Sequence, residues 1–160
     1  MPLAPGATVP AVRLVDLDAR DAPLPAGRAA LLFFYKGECA ASDVAANVLP
    51  RFTGLPGLAV VAVSQDDPGP TRAFGDAHGW GVAGVDVCRD PQPWPASDAF
   101  AVRATPTWIL LDAAGRIVAV SEGWSRDDAN ALAARAAQLA GAPAPVVAPD
   151  DGSLPPFRPG

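Results

Sequence analysis

Residues 100–118 read Phe100-Ala101-Val102-Arg103-Ala104-Thr105-Pro106-Thr107-Trp108-Ile109-Leu110-Leu111-Asp112-Ala113-Ala114-Gly115-Arg116-Ile117-Val118. Trp108 to Leu111 is an unbroken apolar run of strand length. Asp112 to Gly115 carries turn chemistry, and Ile117 to Val120 is a second strand, so the segment predicts an antiparallel hairpin. It opens on Thr105-Pro106-Thr107. A cis bond there would turn the backbone sharply and expose the peptide groups of Thr105, to which an extended partner strand could add by β-augmentation. A proline that merely opens a strand is the alternative.

Upstream, Leu31-Leu32-Phe33-Phe34-Tyr35 is a continuous apolar run that reads as a central strand covered on both faces. It passes through Lys36-Gly37-Glu38 to Cys39, and Ala40 to Val48 reads as a helix that ends or kinks at Pro50. Leu58 to Ser64 is a second buried strand, Pro70 to His78 a helix begun by a proline, and Val85 to Cys88 a short strand. Ser97 is expected to cap a brief helix through Val102. Downstream of the hairpin, Ser125 with Asp128 three residues on starts an alanine-rich helix ending at Gly141. Val9 to Leu17 reads as a leading strand followed by a turn at Asp18-Ala19-Arg20. The crossovers imply parallel pairing early in the chain, and the hairpin adds antiparallel strands to the same sheet. Residues 1–141 therefore read as one domain. From Ala142 onward the Pro- and Ala-rich tail, closing on Leu154-Pro155-Pro156-Phe157-Arg158-Pro159-Gly160, is expected to sustain neither helix nor sheet and to lie extended or disordered.

The 160 residues are half apolar, which suits one domain with a real core. The formal charge of −5, with no arginine cluster, argues against nucleic acid or anionic membranes as partners. Met1-Pro2-Leu3-Ala4-Pro5-Gly6 lacks a basic segment followed by an apolar one, and no apolar run approaches membrane-span length, so a cytoplasmic location is expected. The 2 cysteines do not make a disulfide scaffold, and a reducing compartment with a reactive thiol fits them better. They and the single histidine, His78, are too scattered for a metal set, and no cofactor is implied. His78 reads as a surface residue capping its helix.

Cys39 stands at a strand-to-helix junction. Helix starts offer unpaired N–H groups and positive potential that favour thiolate over thiol. Lys36, the only lysine, could add a cation, whereas the adjacent Glu38 would oppose ionisation if its carboxylate pointed the same way. Ser42, about one helical turn on, can donate to the sulfur without itself being oxidised. The bland alternatives are a half-buried Cys39, an exposed loop lysine, and a serine serving only the helix start. With Ser42 where Cys-x-x-Cys would have its second sulfur, no disulfide can close within the motif, so Cys39 must form a mixed disulfide, find a distant partner or do something else. Cys88 is a candidate resolving thiol or a buried core residue. Trp124, just past Gly123, is expected either to wall the groove beside Pro106 or to pack in the core. Trp80 and Trp94 are candidate loop anchors.

Four stretches carry a resemblance: Pro5 to Asp18, Leu31 to Ser42, Ala59 to Gln65, and above all Phe100 to Val118. Together they resemble thioredoxin-fold proteins of the redoxin branch, similar to TlpA-like thiol-disulfide oxidoreductases and AhpC/TSA peroxiredoxins, over about residues 5–141. The resemblance implies an α/β thioredoxin-like three-layer α/β/α sandwich with a mixed central sheet, an N-terminal strand extension and a helix-containing insertion. It also implies a cis-proline at Thr105-Pro106 and catalysis at Cys39. Where such oxidoreductases commonly carry Trp, a second Cys and Pro, this chain has Glu38, Ser42 and Asn47. Against the peroxiredoxin pattern it has Lys36 at the Thr position and Pro106 in place of an arginine. The implied activity is thiol-disulfide exchange through Cys39, with Ser42 and Lys36 assisting and Thr105, Pro106 and Trp124 holding substrate. The implied partners are a disulfide-containing protein or a small thiol or peroxide substrate, and an external thiol reductant. A thiol peroxidase, with or without Cys88 resolving, and a redox-inactive peptide-binding module are the other expectations.

Overall fold

The structure, a computed structural model, describes residues 3–160. Its centre is β1 (Ala30–Tyr35), in which all six residues are buried. An entirely apolar strand with no polar face must be covered on both sides, and it must have neighbours on both edges to satisfy its backbone. On one edge β2 (Ala59–Ser64) runs parallel, from Ala30 opposite Ala59 to Tyr35 opposite Ser64. On the other, β4 (Thr107–Leu111) runs antiparallel, with Phe34 opposite Thr107. Adding β3 (Asp86–Arg89) beside β2 and β5 (Ile117–Glu122) beside β4 gives one mixed sheet of order β3-β2-β1-β4-β5. The expected hairpin is β4–β5, with an irregularity between Leu110 and Leu111.

Helices complete three layers. On the face carrying Leu31, Phe33 and Tyr35 lie α1 (Ala40–Ala46), Phe74 of α2 (Pro68–Ala77), Trp80 of the one-turn α3 (Trp80–Ala83), and α5 (Arg126–Ala140). On the face carrying Leu32, Phe34 and Cys88 lie α4 (Pro95–Ala99), Phe100, and Leu14 of the N-terminal segment. α5 follows the sequence reading closely: Ser125 accepts from the Asp128 N–H, Asp127 and Asp128 fill the first turn, and Gly141 ends the helix at φ 64°.

Several boundaries differ from expectation. α1 is only seven residues long, because the chain tightens into a 3-10 turn (Leu49–Phe52) in which Pro50 has no N–H to continue an α-helix. Val9 to Leu17 forms no continuous strand. Asp16 Oδ1 accepts from the N–H groups of Asp18 and Arg20, turning the chain early, and Val15 alone bridges to Arg89 of β3. Ser97 is not the cap of α4, which begins two residues sooner. The fully buried Asp90 carboxylate takes the Ala96 and Ser97 N–H groups instead, at 3.0 and 2.7 Å. His78 caps the end of α2 through Nδ1, 2.8 Å from the Phe74 carbonyl, yet its side chain is only 8% exposed because Nε2 also reaches Asp43 of α1.

Residues 142–160 pack onto this unit. Val147 and Ala148 are buried in the same core as α5, and Asn130 exchanges hydrogen bonds with both backbone groups of Ala148. The expectation that the tail would form no sheet is also corrected. β7 (Phe157–Arg158) pairs antiparallel with β6 (Trp124–Ser125), a two-residue ladder too short to be read from composition.

Because the Ser125 hydroxyl is the only side-chain cap on α5, Ser125→Ala should cost about 1 kcal/mol. Thermal melting is expected to shift down by roughly 2–4 °C for a chain this size. An unchanged melt would show that α5 is held by its apolar face alone.

Candidate active site

β1 delivers the chain to the site. After Tyr35 it leaves the sheet through Lys36-Gly37-Glu38, closed by the Cys39 N–H donating to the Lys36 carbonyl at 3.2 Å. Gly37 is pinned by its N–H to Asp66 Oδ2 at 2.8 Å, and a Cβ there would meet that oxygen and the Phe74 ring, each at 3.2 Å. Glycine gives the turn its close approach. Cys39 has extended backbone and is the N-cap of α1, its carbonyl accepting from the Asp43 N–H. The antiparallel pairing of β1 with β4 brings Thr105-Pro106 alongside, and that peptide bond is cis, as the resemblance implied. The Cys39 thiol donates to the Thr105 carbonyl at 3.0 Å. Cys39, Ser42, Thr105 and Pro106 are thus brought together.

The electrostatics of the thiol resolve into opposing influences. Partial burial is the largest and disfavours the thiolate, but donation from the backbone N–H and hydroxyl of Ser42 and from the Ala41 N–H outweighs it, so Cys39 lies below its ordinary value of 9.0. Ser42 Oγ is fully enclosed and hydrogen-bonded to no group among the described residues, so its proton is free to turn toward the sulfur. The Thr105 side chain adds to the same lowering, whereas the Thr105 carbonyl, by accepting the S–H proton, favours the neutral thiol. Ionisation of Cys39 therefore also frees that carbonyl from the S–H.

Lys36 does not supply the cation. Its ammonium lies 4.5 Å from the centroid of the Trp94 ring, a cation–π contact, while Trp94 is tied down by its Nε1–H to the Gln65 carbonyl at 3.1 Å. Glu38 is exposed, and neither charge is among the influences on the sulfur. Lys36 and Trp94 instead form a ridge between two hollows. The smaller, about 280 Å³, runs past Gln65, Ser97 and Arg103 to Thr105, and the larger, about 770 Å³, lies toward Asp66, Phe74 and Arg89. Asp66 and Asp90, which shape the loops here, escaped the sequence reading because Asp66 holds a turn 29 residues back in the chain and Asp90 reaches across the loop before α4 instead of capping from the N-cap position.

Two expected site residues lie elsewhere. Trp124 is fully buried and its Nε1–H donates to the Pro155 carbonyl at 2.7 Å, so it serves the core and not the wall of a groove. Cys88 stands apart from Cys39: it faces the opposite side of the sheet from α1, 4% exposed, and burial with the nearby Asp90 and Asp86 charges pushes its thiol up to about 12. The alternation of side chains along β3 decides this, since Cys88 pairs in register with Val63 and shares its face.

No family model matches this chain, and no curated protein matches it. Solved structures do. The thioredoxin domain of a thiol-disulfide oxidoreductase from Bacteroides vulgatus is similar with TM-score 0.68 and 20% identity, over 83% of this chain and 97% of that one. A putative thiol:disulfide interchange protein DsbE from Chlorobium tepidum gives TM-score 0.72 at 20% identity, over 87% and 99% of the two chains. A putative protein disulfide isomerase from Bacteroides thetaiotaomicron gives 0.75 at 14%, over 87% and 91%. The chain has a thioredoxin-like fold. Among the described residues no helix is long and apolar enough to cross a membrane.

Two measurements check the thiols. Alkylation of the native chain across pH should modify one thiol, with a midpoint below 9.0, and Ser42→Ala should raise that midpoint and slow alkylation several-fold at neutral pH. Cys88 and Tyr35 are both held neutral by burial and pushed up to about 12, from 9.0 and 10.0. Each therefore stabilises the fold fully below its ordinary value, and that stability is lost as pH rises toward 12. Melting temperature should decline from about pH 9 upward, and Cys88→Ala should delay the onset to near pH 10.

Proposed function

We propose that this chain is a thiol-disulfide oxidoreductase that works through one sulfur, Cys39. The observation that carries the reading is the placement of a thiol favoured toward ionisation 3.0 Å from the carbonyl of Thr105, at the cis bond that precedes β4. It puts a nucleophile beside a backbone on which an extended peptide can dock.

The thiolate attacks one sulfur of a substrate disulfide. A Cys39–substrate S–S bond forms, the substrate S–S bond breaks, and the other substrate sulfur leaves as a thiolate that takes a proton from solvent. Ser42 has no sulfur to resolve this mixed disulfide, and Cys88 is walled off by the sheet. An external monothiol attacks the substrate's sulfur, takes it as a new disulfide and returns Cys39 as thiolate; a second equivalent reduces the new disulfide. Ser42 steadies the thiolate both as nucleophile and as leaving group. A cytoplasmic setting, where small thiols are plentiful, suits this cycle.

Turnover of a disulfide-linked peptide by an excess of external monothiol tests the reading. Cys39→Ala is expected to lose activity by at least about 100-fold, since the nucleophile is gone. Ser42→Ala should slow it several-fold, and Cys88→Ala should leave it unchanged. Full activity in Cys39→Ala would end the proposal. A rate with hydroperoxide far above that with disulfide would move the same sulfur to thiol peroxidase chemistry.

A further inference from the structure

The tail reaches the groove. Beyond its anchors at Ala148 and Pro155, the Pro156 carbonyl accepts from the Arg126 N–H, and β7 adds to β6 with Arg158 opposite Trp124 and Phe157 opposite Ser125. The chain then crosses Gly123, whose own N–H donates to the Pro106 carbonyl at 2.8 Å. A Cβ on Gly123 would meet the Arg158 carbonyl oxygen and the Gly160 nitrogen, both at 3.0 Å, and its φ of 71° also suits glycine. Finally Gly160 lies against the carbonyl of Thr105: a Cβ built there would stand 2.6 Å from that oxygen and 3.3 Å from Ala104 Cβ. The oxygen that Gly160 covers is the one that accepts the Cys39 S–H. The Thr105 N–H makes no hydrogen bond among the described residues.

We propose that residues 157–160 are a built-in competitor for the substrate strand, lying extended over Gly123 and Thr105 and leaving when a disulfide-bearing peptide docks. The proposal rests on the reading of Thr105 as the docking edge. The geometry divides the tail into a fixed part and a displaceable part. Val147 and Ala148 are buried and Pro155 is tied to Trp124, whereas Phe157 is 63% exposed and residues 158–160 are open to solvent. Two ladder pairs are a small hold by themselves, but the fixed part keeps the segment at an effective concentration of the order of millimolar. A substrate strand then meets only the fraction of molecules whose groove is open, and its apparent affinity falls by that fraction.

The test uses the chain lacking residues 157–160, which keeps Pro155 on Trp124, and a fluorescent peptide of residues 153–160 as probe. Anisotropy titration should show the peptide binding the shortened chain at least about tenfold more tightly than the full chain. In disulfide turnover the shortened chain should show a lower KM with kcat unchanged. Gly160→Val, whose side chain cannot sit against Thr105, should behave like the shortened chain and guards against a folding defect in it. Equal binding of the peptide to all three proteins would overturn the proposal. A tenfold binding difference with no turnover in any of them would uphold tail occupancy while removing the oxidoreductase reading.

Discussion

The structure depends on the antiparallel pairing of β1 with β4. β1 is apolar throughout and covered on both faces, so its backbone must be paired on both edges, and the strand that fills the second edge begins immediately after Thr105-Pro106. With Phe34 opposite Thr107, the point where β1 leaves the sheet and the point where β4 joins it lie side by side. Cys39 and Thr105, 66 residues apart in the chain, are therefore in hydrogen-bond contact without any dedicated scaffold. The site is a consequence of sheet register: a slip by one residue would turn every side chain of β1 to the wrong face.

Tryptophans tie the layers to this sheet. Trp80 donates to the Ala46 carbonyl at the end of α1, Trp94 to Gln65 after β2, Trp108 to Gly123 and Trp124 to Pro155. Each joins an apolar ring to a backbone acceptor in a separate segment, which satisfies the indole while fixing a loop. Around the thiol the same economy of partners holds. The donors that favour a thiolate are the backbone at the start of α1 and a buried hydroxyl, groups whose positions are fixed before any substrate arrives. A seven-residue helix contributes through these local N–H groups more than through a long macrodipole.

How much was legible follows from the range of the determining contacts. Cys39, Ser42, Thr105 and Pro106 could be read because each is marked by its neighbours: an apolar strand that stops, a helix that starts, a Thr-Pro-Thr before a hairpin. The cap at Ser125 and the stop at Gly141 are local for the same reason. For Trp124 the sequence left groove wall and core packing open, because the carbonyl that decides it lies 31 residues downstream in a segment whose composition suggests no order. The place of Lys36 is not legible locally, since its partner is a ring across the site and not a neighbour on its own turn. Cys88 is a matter of which face a short strand presents, and that parity is set by register with β2, which the sequence of β3 does not contain.

In the proposed cycle the chemistry belongs to one sulfur on one face of the sheet. The most direct measurement is mass analysis of the reduced chain mixed with a limiting disulfide peptide, quenched in acid, and digested to locate the adduct. A single mixed disulfide on the fragment holding Cys39, with Cys88 still a free thiol, is the expected result. An adduct on Cys88, or a Cys39–Cys88 disulfide within the folded chain, would contradict it.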